Sequence, residues 1–185
     1  MKKTGLLIID VQKGFDDPVW GNRNNPDAES QMVRLLSAWR KSGQPVIHVR
    51  HCSVEPNSLL RPELPGNAFK EEVKPLPGEK QFTKTVNSAF IGTGLETYLK
   101  EQNILSLVIV GLTTDHCVST SVRMAANLDF EVTLVSDATA TFDRLSDDGI
   151  HYTAEEIHNI NLVSLNGEFC RVRSTAEVLK LLSSV

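Results

Sequence analysis

Cys117 is the residue whose type and setting could do the most chemistry. It lies in Leu107–Asn127, where the unbroken apolar run Leu107-Val-Ile-Val110 leads through Gly111 into a stretch with Val118, Val122, Ala125 and Ala126 at helical spacing. A thiol at a strand-to-helix junction sits near the unpaired N–H groups of a helix start, which favour thiolate over thiol and can lower a cysteine pKa from ~8.5 toward neutrality. A thiolate there is a nucleophile. The same position also suits a small apolar filler, since cysteine is among the most often buried residue types. Asp10 ends the apolar run Gly5-Leu-Leu-Ile-Ile9 and is a candidate base, because parallel strands deliver their carboxyl ends to one rim. An aspartate there equally serves to cap a turn. Lys84 closes Gln81–Lys84 and reaches the same rim, although lysines are solvated by default. His48 and His51 stand three apart at a strand end, so their rings point to opposite faces, which disfavours a shared metal.

The elements that must position these groups alternate along the chain. Gly5–Ile9 is the first strand, and Gly111 is expected to end the fourth, Leu107–Val110. Asp16–Pro26 reads as a loop over the strand ends, where Phe15 and Trp20 either line a pocket or fold back onto the core. Pro26 and Asp27 open a helix whose stripe is Met32, Leu35, Leu36 and Trp39, stopped by Gly43. Pro45–Val49 is the second strand. Between Cys52 and Gly78 lie five of the eight prolines and no periodicity, the pattern of a functional lid or a subunit contact. Gln81–Lys84 is the third strand, Asn87–Phe90 a turn, and Leu95, Tyr98 and Leu99 mark a helix. Glu131–Ser136 is the fifth strand. Thr153 and Glu156 form a capping box for a helix carrying Ile157, Ile160 and Leu165 as far as Gly167; Cys170–Arg173 is a sixth strand, and Ser174 with Glu177 caps a last helix through Leu182. The economical fold is one doubly wound α/β domain over residues 1–185, with no internal repeat and no linker.

Composition narrows the partners. A chain of 185 residues with 41% apolar and 23% charged residues is an ordinary globule with a real core. Its net charge of −4 and lack of a basic cluster speak against nucleic acid. Cys52, Cys117 and Cys170 are too widely spaced for a zinc knuckle or a disulfide framework, so a reducing, cytoplasmic setting is expected. Lys2 and Lys3 before Leu6–Ile9 faintly imitate a leader, but Asp10 stops the apolar run; no later run is long enough to span a bilayer.

Three motifs in register, L-L-I-I-D-V-Q-K-G-F (6–15), F-T-K-T-V-N-S-A-F (82–90) and V-I-V-G-L-T-T-D-H-C-V-S-T (108–120), resemble the isochorismatase-like cysteine hydrolases, a superfamily that includes nicotinamidase, N-carbamoylsarcosine amidohydrolase and ureidoacrylate amidohydrolase. The resemblance implies a three-layer α/β/α fold on a six-stranded, mainly parallel sheet in the order 3-2-1-4-5-6, with strands one and four flanking the switch point. It implies a catalytic triad of Asp10, Lys84 and Cys117, an oxyanion hole of the Thr113 and Cys117 amides, and a cis peptide between Leu112 and Thr113. Phe15, Trp20, His51, Asn87, Phe90 and His116 are expected at the substrate. Arg50, His51 and Arg61 are candidates to receive a substrate carboxylate.

Where this chain departs from its relatives, the expectation shifts. Nicotinamidases carry an Asp-x-His and a later His for zinc after the second strand, whereas this chain has His48-Val-Arg-His51-Cys-Ser, so no metal and no cofactor are expected. Isochorismatases proper cleave a vinyl ether without a nucleophilic cysteine, so Cys117 points instead to a C–N bond. The expected activity is metal-independent hydrolysis of a small amide, carbamoyl or ureido compound through a thioester. Vinyl ether hydrolysis and a catalytically idle scaffold are the alternatives. The relatives' habit implies a homodimer or homotetramer.

Overall fold

The computed structural model describes residues 3–183; Lys2, part of the leader-like start, lies outside the described residues. Its strands are β1 (Lys3–Ile9), β2 (Val46–His51), β3 (Lys80–Lys84), β4 (Ile104–Leu112), β5 (Glu131–Ala140), β6 (Arg144–Leu145), β7 (His151–Tyr152) and β8 (Arg171–Arg173). Its α-helices are α1 (Ala28–Ser42), α2 (Leu95–Glu101), α3 (Ser119–Asn127), α4 (Ala154–Leu165) and α5 (Thr175–Leu182). The main sheet runs β3-β2-β1-β4-β5-β8 with every neighbouring pair parallel. This is the expected order; the sixth strand is numbered eight because a short antiparallel hairpin, β6–β7, precedes it.

Alternation along β1 and β4 sorts the core into two layers. Leu6, Ile8, Val108, Val110 and Leu112 pack on one face with Met32, Leu35, Leu36 and Trp39 of α1 and Val178 of α5. Leu7, Ile9, Leu107 and Ile109 pack on the other with Leu95 and Leu99 of α2, Val122 and Ala125 of α3, and Leu165 of α4. Both expected capping boxes, at Thr153 and at Ser174, are formed. Among the described residues no helix is long and apolar enough to cross a membrane.

The structure corrects several local expectations. Gly111 does not end β4: the strand continues to Leu112, with Gly111 at φ +129° and so close to β1 that a Cβ there would meet the Ile9 carbonyl oxygen at 2.0 Å. Only glycine fits that seam. Strand β2 runs on to His51 because His51 pairs with Lys84 of β3, and β5 runs on to Ala140 because Thr139 and Ala140 pair with Gly111 and Leu112. On α4 the buried residues are Ala154, His158 and Leu165, while Ile160 is 61% exposed. His158 turns that helix inward by a hydrogen bond between its Nδ1 and the Thr114 hydroxyl at 2.8 Å, a polar anchor that apolar periodicity does not reveal.

The proline-rich segment after β2 is tied by polar side chains to the loop after β1, to α1 and to β2. The Lys70 ammonium, barely exposed, pairs with Asp16 at 2.5 Å and Glu29 at 2.6 Å, and Glu29 also takes a two-bond pairing from Arg23. Glu79 takes two bonds from Arg40 and one contact from buried His48 at 2.9 Å. Gln12, fully buried after β1, clamps the end of β2: its Oε1 accepts from the His51 N–H and its Nε2 donates to the His51 and Asn67 carbonyls, each at 2.9 Å.

These anchors have measurable consequences. Replacing Gln12 with Leu strands the His51 N–H and the Asn67 carbonyl, each unmet buried group costing ~1–3 kcal/mol. A urea titration should therefore show a loss of about 2–6 kcal/mol; a loss well under ~1 kcal/mol would show the clamp to be dispensable. Arg40, His48 and the Leu76 N–H hold Glu79 at about 2 against the opposing effect of burial, below its ordinary 4.5. A depressed folded-state value gives stability that is present above pH 4.5 and lost as the pH falls through about 2. Thermal melts of Glu79→Gln and the parent should therefore differ at neutral pH and converge toward pH 2.

Candidate active site

Four neighbouring strands deliver one titratable group each to a single rim. Asp10 follows β1, His51 ends β2, Lys84 ends β3, and Cys117 stands in the turn after β4. Asp10 has φ +52°, a left-handed conformation that aspartate tolerates better than most residues, and this turn takes the chain from β1 into the buried Val11 and Gln12. After β4 the Leu112–Thr113 peptide bond is cis. Thr114–Val118 then form one wide turn of π type, in which the His116 and Val118 N–H groups both donate to the Thr113 carbonyl at 3.2 Å, before α3 begins at Ser119. Single turns of this kind are frequent at functional sites.

Lys84 is the hub. Its Nζ lies 2.6 Å from Asp10 Oδ2, 3.0 Å from His51 Nδ1 and 3.2 Å from Cys117 Sγ. The Asp10 and Lys84 side chains are both 0% exposed. The ligand-type atoms of Asp10, His51 and Cys117 lie within 4.8 Å of one another, so carboxylate and sulfur are close enough for a small side-chain shift to bring them into hydrogen-bond range. His48, by contrast, projects toward Glu79 and Phe69. The two histidines thus do not face a common point: one meets Glu79 and the other Lys84.

Burial dominates the proton affinities. It raises Asp10 above its ordinary 3.8, with Lys84, the Cys117 thiol and the His51 backbone pulling the other way. It pushes Cys117 up to about 12, reinforced by the Asp10 charge and only partly offset by Lys84. The expected lowering of Cys117 by a helix start is therefore overturned: the sulfur sits inside a wide turn beside a carboxylate, and both desolvation and like charge favour the thiol. A raised aspartate beside a protonated thiol is a base facing its acid. His51 is held down to about 4, first by burial and then by the Lys84 charge, so its ring is neutral and can accept.

The remaining expected site residues take varied places. Thr113 is buried and its hydroxyl has no hydrogen-bond partner among the described residues. His116 is mostly exposed, 3.4 Å from Asp115, which itself accepts from the Thr141 hydroxyl at 2.5 Å and from Arg144 at 2.9 Å. Phe15 folds back onto the core, 5.1 Å from Trp20 and 6.2 Å from Phe142 between ring centres. Phe90 packs on Phe130 at 5.9 Å, and Asn87 is exposed. Arg61 bonds Glu63 and the Pro56 carbonyl, and Arg50 lies over Phe69, so neither is held at Lys84. Sequence reasoning assigned no role to Gln12 and His158. Gln12 stands inside the first motif, but a buried amide has no distinguishing pattern.

Residues 4–177 match the model of the isochorismatase domain family. The chain is 48% identical over 178 residues to YrdC of Bacillus subtilis (strain 168), an uncharacterized isochorismatase family protein, covering 96% of this chain and 95% of that one. It is 35% identical over 88 residues to the ureidoacrylate amidohydrolase RutB of Agrobacterium fabrum (strain C58), 43% of this chain and 39% of that one. The crystal structure of an isochorismatase-family protein of Chromobacterium violaceum ATCC 12472 superposes with a TM-score of 0.96 at 49% identity, covering 100% of this chain and 96% of that chain. With the family model matching residues 4–177 and close likeness in sequence and fold along nearly the whole chain, this chain belongs to the isochorismatase family of hydrolases.

Proposed function

We propose that the protein is a metal-independent cysteine hydrolase that cleaves a C–N bond of a small amide, carbamoyl or ureido compound through a thioester. The observation that carries this reading is the meeting of the Asp10 carboxylate, the Lys84 ammonium and the Cys117 sulfur in one buried cluster. Likeness to a ureidoacrylate amidohydrolase supports the class of bond. Assembly as a homodimer or homotetramer belongs to the same proposal.

An amide carbonyl is a poor electrophile, so attack requires a strong nucleophile formed where it is used. In this reading Asp10 takes the Cys117 proton as sulfur bonds to the carbonyl carbon. The thiol's high proton affinity makes that transfer concerted with attack, because little free thiolate exists beforehand. The Thr113 and Cys117 amides receive the oxyanion. Asp10 then returns the proton to the departing nitrogen, which leaves as amine or ammonia and frees a thioester. Water, deprotonated by Asp10, attacks the thioester, and the acid departs with the thiol restored. Lys84 keeps the charge balanced at each stage, its N–H facing the sulfur while thiolate character develops.

Screening against primary amides, carbamoyl acids and ureido acids should identify a turned-over compound. On it Cys117→Ala should lose roughly 10⁴–10⁶-fold in kcat while keeping the parent circular dichroism spectrum. Retained turnover in that variant would refute the mechanism. Because the base form of Asp10 is required and its proton affinity is raised, kcat/KM should fall as the pH drops through a midpoint above 3.8. An acid limb at or below 3.8 would remove Asp10 from the role of base.

A further inference from the structure

We propose that His51 is a positioning residue: by accepting one Lys84 N–H at Nδ1 it fixes the ammonium so that the others face Asp10 and Cys117. The inference deepens the reading above and rests on it for the kinetic readout, but its main test needs no substrate.

An ammonium has three N–H donors on a freely rotating head. Lys84 Nζ has three partners at 2.6, 3.0 and 3.2 Å, namely Asp10, His51 and Cys117. In a side chain with no exposure, a missing acceptor leaves a donor that water cannot satisfy. His51 can fill that place only as a neutral ring with Nδ1 unprotonated, and burial together with the Lys84 charge keeps the ring neutral. The titratable groups that face the ring are Lys84 from β3, Asp10 from the end of β1 and Cys117 from the turn after β4.

The ring's own position is set by its backbone. Gln12 grips the His51 N–H and carbonyl, and Asn67 donates to the same carbonyl at 2.8 Å. The register His51 with Lys84 between β2 and β3 places the two side chains next to each other. The clamp and the register therefore act on one hydrogen bond. An exposed histidine held by a substrate would need none of them.

The test compares His51→Leu, which fills the space without an acceptor, with His51→Asn, whose Oδ1 falls where Nδ1 was. The probe is iodoacetamide: the Cys117 sulfur bonds the acetamide carbon, iodide leaves and the thiol proton passes to Asp10. Modification is followed at the Cys117 peptide by mass spectrometry between pH 7 and 10. His51→Leu should react roughly 3–10-fold more slowly than the parent at each pH, and His51→Asn within about 2-fold of it, since a thiolate facing a fixed N–H forms more readily. On any amide that the parent hydrolyses, His51→Leu should lose roughly 10–100-fold in kcat with KM within about 2-fold, and His51→Asn should recover most of that loss. Circular dichroism melts establish that both variants are folded; if His51→Leu is not, His51→Gln, an amide whose Nε2 replaces the far ring nitrogen but presents no acceptor at Nδ1, takes its place. Parent-like alkylation in the folded variant lacking the acceptor, an equal fall in both variants, or a rise in KM at constant kcat would each overturn the proposal. Loss of the hydrolase reading, seen as turnover persisting in Cys117→Ala, leaves the alkylation result standing on its own.

Discussion

A lysine head sealed from water is the constraint around which the site is built. Taking an ammonium out of water costs several kcal/mol unless a counter-charge and full hydrogen bonding replace the solvent. Here the counter-charge is Asp10 at 2.6 Å and the remaining partners are an imidazole nitrogen and a sulfur. Each comes from a different strand end, so the interaction can form only when four strands lie in the right order and register. The lysine head is thus met on all sides only in the folded sheet, while Asp10 Oδ1 is buried there with no hydrogen-bond partner among the described residues.

That arrangement trades reactivity at rest for reactivity on demand. A cysteine at an open helix start would hold a standing thiolate, exposed to oxidation and to adventitious electrophiles. Cys117 is instead kept as a thiol by burial and by the neighbouring carboxylate. The same burial strengthens Asp10 as a base. One physical cause, exclusion of water, therefore acts on both members of the pair, and the lysine between them limits how far either can drift.

The surroundings are stiff where the cluster needs them to be. Gln12 and Asn67 hold the end of β2, and within the cysteine turn His158 holds Thr114 while Thr141 with Arg144 holds Asp115. The proline-rich segment after β2 is tied down by Lys70 with Asp16 and Glu29, and by Glu79 with Arg40 and His48. Its lack of periodicity was plain in the chain. Its attachment was not, because these partners are tens of residues apart and none is marked by local pattern.

Local pattern alone determined a good deal: the β-branched runs, the helical stripes of α1 and α3, the two capping boxes and the strand-end placement of Asp10, Lys84 and Cys117 follow from periodicities of two and 3.6 and from short-range hydrogen bonding, which neighbours along the chain dictate. The strand order came from motif resemblance, not from periodicity. What only the tertiary structure decided is everything that depends on who stands beside whom. It continued β4 through Gly111, where β1 comes too close for any side chain. It turned α4 on His158 instead of Ile160, brought His51 to Lys84, and made Cys117 a weaker acid than its place at a helix start suggested. Desolvation and charge act through space, so a residue's proton affinity is a property of its neighbours in the fold and not of its neighbours in the chain.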